Sequence, residues 1–256
     1  MGFQPDIRIV QSGRDWAYRA SEMVLQASEE AIKSRGRCLI ALSGGSTPKA
    51  LYETWCSPGW KHRFDWHRMI FLFGDERCVP PNDPESNYAM AQAALFRPLG
   101  IDPGAIHRME GERQDPLSAA HDYEVTIRAL THSVAPNFPQ LDLILLGLGD
   151  DGHTASLFPG TEALQDQVHV VAVGRAPRGI ALRLTLTLGV INRASMVLFL
   201  VAGESKASVV RAVLESRTVQ DQALPAAKVK PDSGRLIWML DNAAAAQLTG
   251  GHEQRD

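Results

Sequence analysis

Short, unbroken apolar runs recur along this chain: "CLIAL" at 38–42, "MIFLF" at 69–73, "LDLILLG" at 141–147, "HVVAV" at 169–173, "MVLFLVAG" at 196–203 and "LIWML" at 236–240. Each is too short for a surface helix and too continuously apolar for a strand with one wet face, so each reads as a strand buried on both faces. Helical patterns at 14–35, 48–56, 86–97, 116–132, 204–216 and 241–248 lie among them. In the first, Ala17, Ala20, Met23, Val24, Ala27 and Ala31 repeat at three- and four-residue steps, with Ser12 and Asp15 as a cap-like pair and Gly36 as a stop. Strands alternating with helices predict an α/β fold, a mostly parallel sheet with helices on both faces. The segment "RAPRGIALRLTLT" at 175–187 breaks the rhythm, because its alternation suits a strand or hairpin exposed on one side.

No linker, repeat or low-complexity tract forces a boundary, so residues 1–256 are expected to form a single domain; with 45% apolar content they can bury a full core. The formal net charge of −3 gives no reason to expect nucleic acid as a partner, and an anionic ligand must meet local positive groups. Cys38, Cys56 and Cys78 form no CxxC pair and read as free thiols in a reducing compartment. The N-terminus has no apolar signal region, and the apolar runs fall short of the ~20 residues that a membrane span needs. A cytoplasmic protein without a membrane partner is expected.

Three loops stand out, each following a buried strand: "SGGSTP", "GDERCVPPNDPESNY" and "GLGDDGHTASLFPG". In an open parallel sheet ligands bind outside the carboxyl ends of the strands, so the three are expected to meet. In the first, Ser43, Gly44, Gly45, Ser46 and Thr47 supply backbone donors and close approach, with Thr47 a candidate cap for a helix that starts at Pro48. Such a helix N-terminus attracts phosphate, and no Gly-Lys-Ser/Thr follows to make it a Walker loop. "GLGDDG" matches GxGxxG in form, but Asp150 and Asp151 would repel a pyrophosphate, which excludes a dinucleotide. Asp151, two residues before His153 across Gly152, makes a candidate general-base pair. Asp75, Glu76 and Arg77 follow the second strand; Arg77 is a candidate for stabilising an oxyanion or gripping an acid group. The carboxylates offer a metal-ligand alternative, against which sugar binding fits the hydroxyl- and glycine-rich neighbours as readily. Lys206 sits in the first turn of a helix, against the macrodipole, which suggests phosphate binding. Arg183, on a strand, is a further candidate cation.

At these loops, and at "RLTLTLGVINRA", "LVAGESKAS" and "LPAAKVKP", the sequence closely resembles the 6-phosphogluconolactonase family, a branch of a superfamily shared with glucosamine-6-phosphate deaminases. The resemblance covers residues 38–231 in family order. It implies a Rossmann-like fold with the active site at the C-terminal edge of the strands, and a cytosolic enzyme of the pentose phosphate pathway. Such an enzyme hydrolyses 6-phospho-D-glucono-1,5-lactone, a small sugar-phosphate partner, with no organic cofactor and no metal. It implies His153 as general base with Asp151 as its partner, Arg77 near the lactone oxygen with Asp75 in the same wall, and Ser43 to Thr47 with Lys206 and Arg183 as the phosphate grip. The spacing of "PRGIALRLTLT" keeps Arg178 open as an alternative to Arg183. Deaminases resemble "DGHIAFNEP" in the third loop, with a glutamate five positions after the histidine; here that position is Phe158, which cannot relay a proton.

Overall fold

The computed structural model describes residues 4–11 and 14–249. Its strands are β1 (Asp6–Val10), β2 (Cys38–Leu42), β3 (Met69–Phe73), β4 (Asp75–Arg77), β5 (Leu143–Leu146), β6 (Val171–Arg175), β7 (Leu182–Leu186), β8 (Met196–Val201) and β9 (Arg235–Asp241). Six of them form one parallel sheet in the order β1-β9-β8-β5-β2-β3. The apolar runs are continuous because alternate residues serve opposite faces. In β2, Cys38, Ile40 and Leu42 enter one core while Leu39 and Ala41 enter the other, and β5 and β8 divide by parity in the same way. Ala20, Val24 and Ala31 of the helix Arg14–Arg35 cover the first face with Leu51, Tyr52 and Trp55 of the helix Ser46–Trp55. Tyr123 and Ile127 of the helix Pro116–Thr131 cover the second with Val210 and Val213 of the helix Ala207–Glu215. Among the described residues no helix is long and apolar enough to cross a membrane.

Chain direction across the sheet reverses between β2 and β5, which are hydrogen-bonded neighbours: the chain runs outward from β2 to β3, then returns to β5 and proceeds through β8 to β9. Such a switch point opens a crevice at the strands' carboxyl ends. The loops after β3, β2, β5 and β8 all emerge there.

Several elements differ from the expectations above. Ser12 lies outside the described residues, whereas Gly36 does end the first helix, at φ 77°. Edge strand β1 carries no unbroken apolar run, because its residues are only half-buried. "HVVAV" does not join the parallel sheet: β6 pairs antiparallel with β7, which pairs antiparallel with β4. "GDER" is thus a sheet-switching strand rather than a loop. Gly74 makes the switch, donating to the Leu42 carbonyl of one sheet (2.9 Å) and accepting from Leu186 N–H of the other (2.8 Å). The helical pattern at 241–248 is a series of turns, and the Asp241 carboxylate draws the Ala244 N–H (2.7 Å) and the Gly203 N–H (3.0 Å) onto itself.

Candidate active site

A cavity of about 770 Å³ lies at these carboxyl ends. Ser43 to Thr47, Asp75, Arg77, Asp151, His153, Arg183 and Lys206 all line it, and so does Arg178. Four cations and a histidine therefore face one space in a chain of net negative charge, which meets the need for local positive groups.

The first loop is built from beneath. Tyr52, on the helix that the loop starts, accepts from Ser43 N–H (3.0 Å) and donates to the Ser43 carbonyl (2.9 Å). Burial pushes its phenol far above the usual range, so it remains a donor. A Cβ on Gly44 would lie 1.9 Å from Asn87 Oδ1, and Gly45 has φ 100°, so both positions require glycine. The positive φ starts the helix two residues earlier than expected: Gly45 is the N-cap, Ser46 and Thr47 are helical, and Pro48 is buried. No side chain caps this end, so the Ser46 and Thr47 N–H groups remain for a ligand in the cavity.

In the third loop the His153 Nδ1 lies 2.5 Å from Asp151 Oδ1, which also accepts the His153 N–H at 3.1 Å. Partial burial raises the Asp151 carboxyl, but the hydrogen bonds from the His153 ring and backbone outweigh it and hold the group below the usual carboxylate range. An ionised Asp151 accepts the hydrogen bond from Nδ1–H, which leaves Nε2 as the basic nitrogen. The other side of the imidazole packs on buried Phe158, ring centroids 4.4 Å apart. Gly149 makes room for the ring, and Gly152, at φ 77°, packs on Leu224 and accepts from Ala226 N–H at 3.0 Å. The "LPAAK" segment thus braces the histidine loop from behind.

Asp75 uses both carboxylate oxygens, accepting from Ser156 Oγ (2.6 Å) and Asn87 Nδ2 (3.2 Å), and so ties the second loop to the third. Arg77 and Arg183 stand opposite each other in the β4–β7 ladder, like charges side by side. Burial and the Arg77 charge lower Arg183, and Asp75 partly offsets them. Arg77 Nη1 is held by Glu85, whereas its Nε is buried without a hydrogen-bond partner among the described residues. Such a paired-cation site suits an anionic ligand. Arg183 Nε donates to the Ile180 carbonyl (2.8 Å), while Arg178 sits exposed in the β6–β7 connection.

Glu76 is a buried organiser. Its carboxyl accepts from the N–H groups of Arg77, Asn87 and Tyr88 and from Ser86 Oγ, at 2.7–2.9 Å. Burial raises it, and these four bonds hold it back. Glu76→Gln puts an amide NH2 against donors and is expected to lower unfolding free energy by about 2 kcal/mol, read by chemical denaturation.

Lys206 belongs to the 3-10 turn Glu204–Lys206 that leads into the helix Ala207–Glu215, one step before the position expected for it, and its ammonium pairs with Asp150. Among the described residues no three His, Cys, Asp or Glu side chains converge as a metal site. The sequence gives no direct signal for Asn87, Ser156 and Gly149 as site residues. The Ser86-Asn87 pair is legible as a helix cap, and Ser86 does accept from Ala89 N–H (3.1 Å). The links of Asn87 and Ser156 to Asp75 span 12 and 81 residues of the chain, whereas Gly149 meets His153 within one loop.

Residues 11–238 match the family described as glucosamine-6-phosphate isomerases/6-phosphogluconolactonase. A relative from Nostoc sp. named 6-phosphogluconolactonase is 40% identical over 231 residues, 90% of this chain and 93% of its own. Another of that name, from Haemophilus influenzae, is 38% identical over 82% of this chain and 87% of its own. The solved structure of 6-phosphogluconolactonase from Trypanosoma cruzi superposes with a TM-score of 0.84 at 30% identity, covering 98% of this chain and 99% of that one. With the parallel sheet, the switch-point crevice and the three loops, these likenesses lead to one conclusion: the chain belongs to the glucosamine-6-phosphate isomerase/6-phosphogluconolactonase family.

Proposed function

We propose that this protein hydrolyses 6-phospho-D-glucono-1,5-lactone to 6-phospho-D-gluconate in the cytoplasm, by attack of a His153-activated water. The observation that carries the reading is the meeting, in one cavity, of an Asp151–His153 pair and an uncapped helix N-terminus flanked by Lys206 and Arg183. His153 Nε2 takes a proton from water as the oxygen attacks the lactone carbonyl carbon. The tetrahedral oxyanion faces the guanidinium of Arg77, which lines the cavity. On collapse the ring C–O bond breaks and the imidazolium returns its proton to the leaving oxygen. The acid formed then loses a proton to solvent. The Ser46 and Thr47 N–H groups, Lys206 and Arg183 hold the 6-phosphate. A lactone is an activated ester, so one base and one cation suffice.

The names of the relatives support this substrate. Within the family, ring-opening deamination fits less well, because buried Phe158 packs on the histidine where a relay carboxylate would be needed. The test is product formation from freshly made lactone, coupled to NADP reduction by excess 6-phosphogluconate dehydrogenase, with spontaneous hydrolysis subtracted. A rate no higher than the spontaneous one overturns the proposal. Lys206→Ala is expected to lower kcat/KM for the phosphorylated lactone about tenfold or more, far beyond its effect on unphosphorylated gluconolactone. Equal losses on both would remove Lys206 from the phosphate site.

A further inference from the structure

Lys206 does not wait for a ligand uncovered. Its side chain is 26% exposed, and its ammonium pairs with Asp150, whose side chain is 79% exposed and lines the same cavity. Asp150 has no other side-chain hydrogen bond or ion pair among the described residues, unlike its neighbour Asp151, which is committed to His153. A carboxylate so placed can turn away into solvent when a stronger anion arrives. It nevertheless remains in the wall, so every anion that takes Lys206 gives up an ion pair and gains a like charge as neighbour.

Resting on the reading that Lys206 holds the 6-phosphate, we propose that Asp150 is a specificity-determining competitor for that phosphate, which favours release of the product over release of the substrate. Substrate and product carry the same phosphate, but hydrolysis converts a neutral ester into a carboxylate and so adds one negative charge inside the cavity. A ligand filling about 770 Å³ lies within roughly one Debye length, ~8 Å at physiological salt, of an acidic residue in the wall. The new charge is repelled by Asp150 and Asp151 together. Asp151 cannot be spared from the histidine, so Asp150 is the part of this repulsion that is free of any duty in the chemical step. The substrate meets the same competitor with one charge fewer and is penalised less.

Calorimetric titration of inorganic phosphate and of 6-phosphogluconate into wild type, Asp150→Asn and Lys206→Ala tests this. Asp150→Asn keeps the shape of an exposed turn residue and removes its charge. It is expected to tighten phosphate about threefold and 6-phosphogluconate up to about tenfold at low salt, effects sized for an exposed pair and fading as salt is raised. If Asp150→Asn binds both ligands as wild type does while Lys206→Ala binds phosphate weakly, the competitor role is overturned and the phosphate site stands. A Lys206→Ala protein that binds phosphate as wild type does overturns both. Equal tightening of phosphate and 6-phosphogluconate overturns the discrimination between product and substrate.

Discussion

His153→Ala is expected to lower turnover by about 10²- to 10⁴-fold, the usual span for loss of a general base, equivalent to about 2.7–5.5 kcal/mol of transition-state stabilisation. KM should change little, because the proposed phosphate contacts come from other loops. The geometry behind this expectation is the 2.5 Å contact between Nδ1 and Asp151, which leaves Nε2 as the base. Asp151 is depressed, so it is ionised at neutral pH, and its support for the ring is lost only as the pH falls through the acid range. Wild-type turnover should fall as acid protonates Asp151 and its support for the ring is withdrawn, and the alanine variant should lack that fall. Both proteins are assayed against pH with the spontaneous rate subtracted. A variant keeping more than about a tenth of wild-type turnover would remove His153 from the role of base. Asp75 is a poor replacement, since Ser156 and Asn87 already occupy its carboxylate.

Gly149→Ala is expected to be nearly as harmful to activity and mild to the fold. A Cβ there would stand 2.0 Å from His153 Nδ1 and 2.1 Å from Cε1. The neighbour is a side-chain ring that can rotate, so the protein accommodates the methyl group by turning the imidazole away from Asp151. Displacement of a catalytic group by about 1 Å can cost on the order of 10²-fold in rate, and that is the expected loss in turnover. The Gly149 N–H bond to the His153 carbonyl (2.9 Å) uses backbone alone and survives, so the melting temperature should shift by only a few degrees. A variant with wild-type turnover would show that the ring does not need its present seat.

The architecture was legible because its causes are local. Each strand between two helical layers must be apolar at every position, so β2, β3, β5, β8 and β9 declare themselves as unbroken runs. The loops at their carboxyl ends are equally plain, since glycine, hydroxyl and charged residues follow each run directly. The same logic misplaced "HVVAV", because an apolar run records burial but not the partner strand. It missed β1, whose half-buried edge needs no such run. It also took "GDER" for a loop, because three charges do not look like a strand until β7 pairs with them.

The chemistry divides along the same line. Residue types and spacing by themselves determined the parallel α/β class, the glycine-rich turn at Ser43 to Thr47 and the pairing of Asp151 with His153, because those interactions join residues a few positions apart. Only the tertiary structure decided that Arg77 faces Arg183 across a ladder, that Ser156 and Asn87 clamp Asp75, that Phe158 lies against the histidine ring and that Asp150 covers Lys206. Apart from Phe158, these partners lie 12 to 106 residues apart in the chain. A one-dimensional pattern carries the preference of each residue for burial, charge or turn. It does not say which distant residue meets it, because that choice is made when the two cores close over the sheet and bring the loops to one edge.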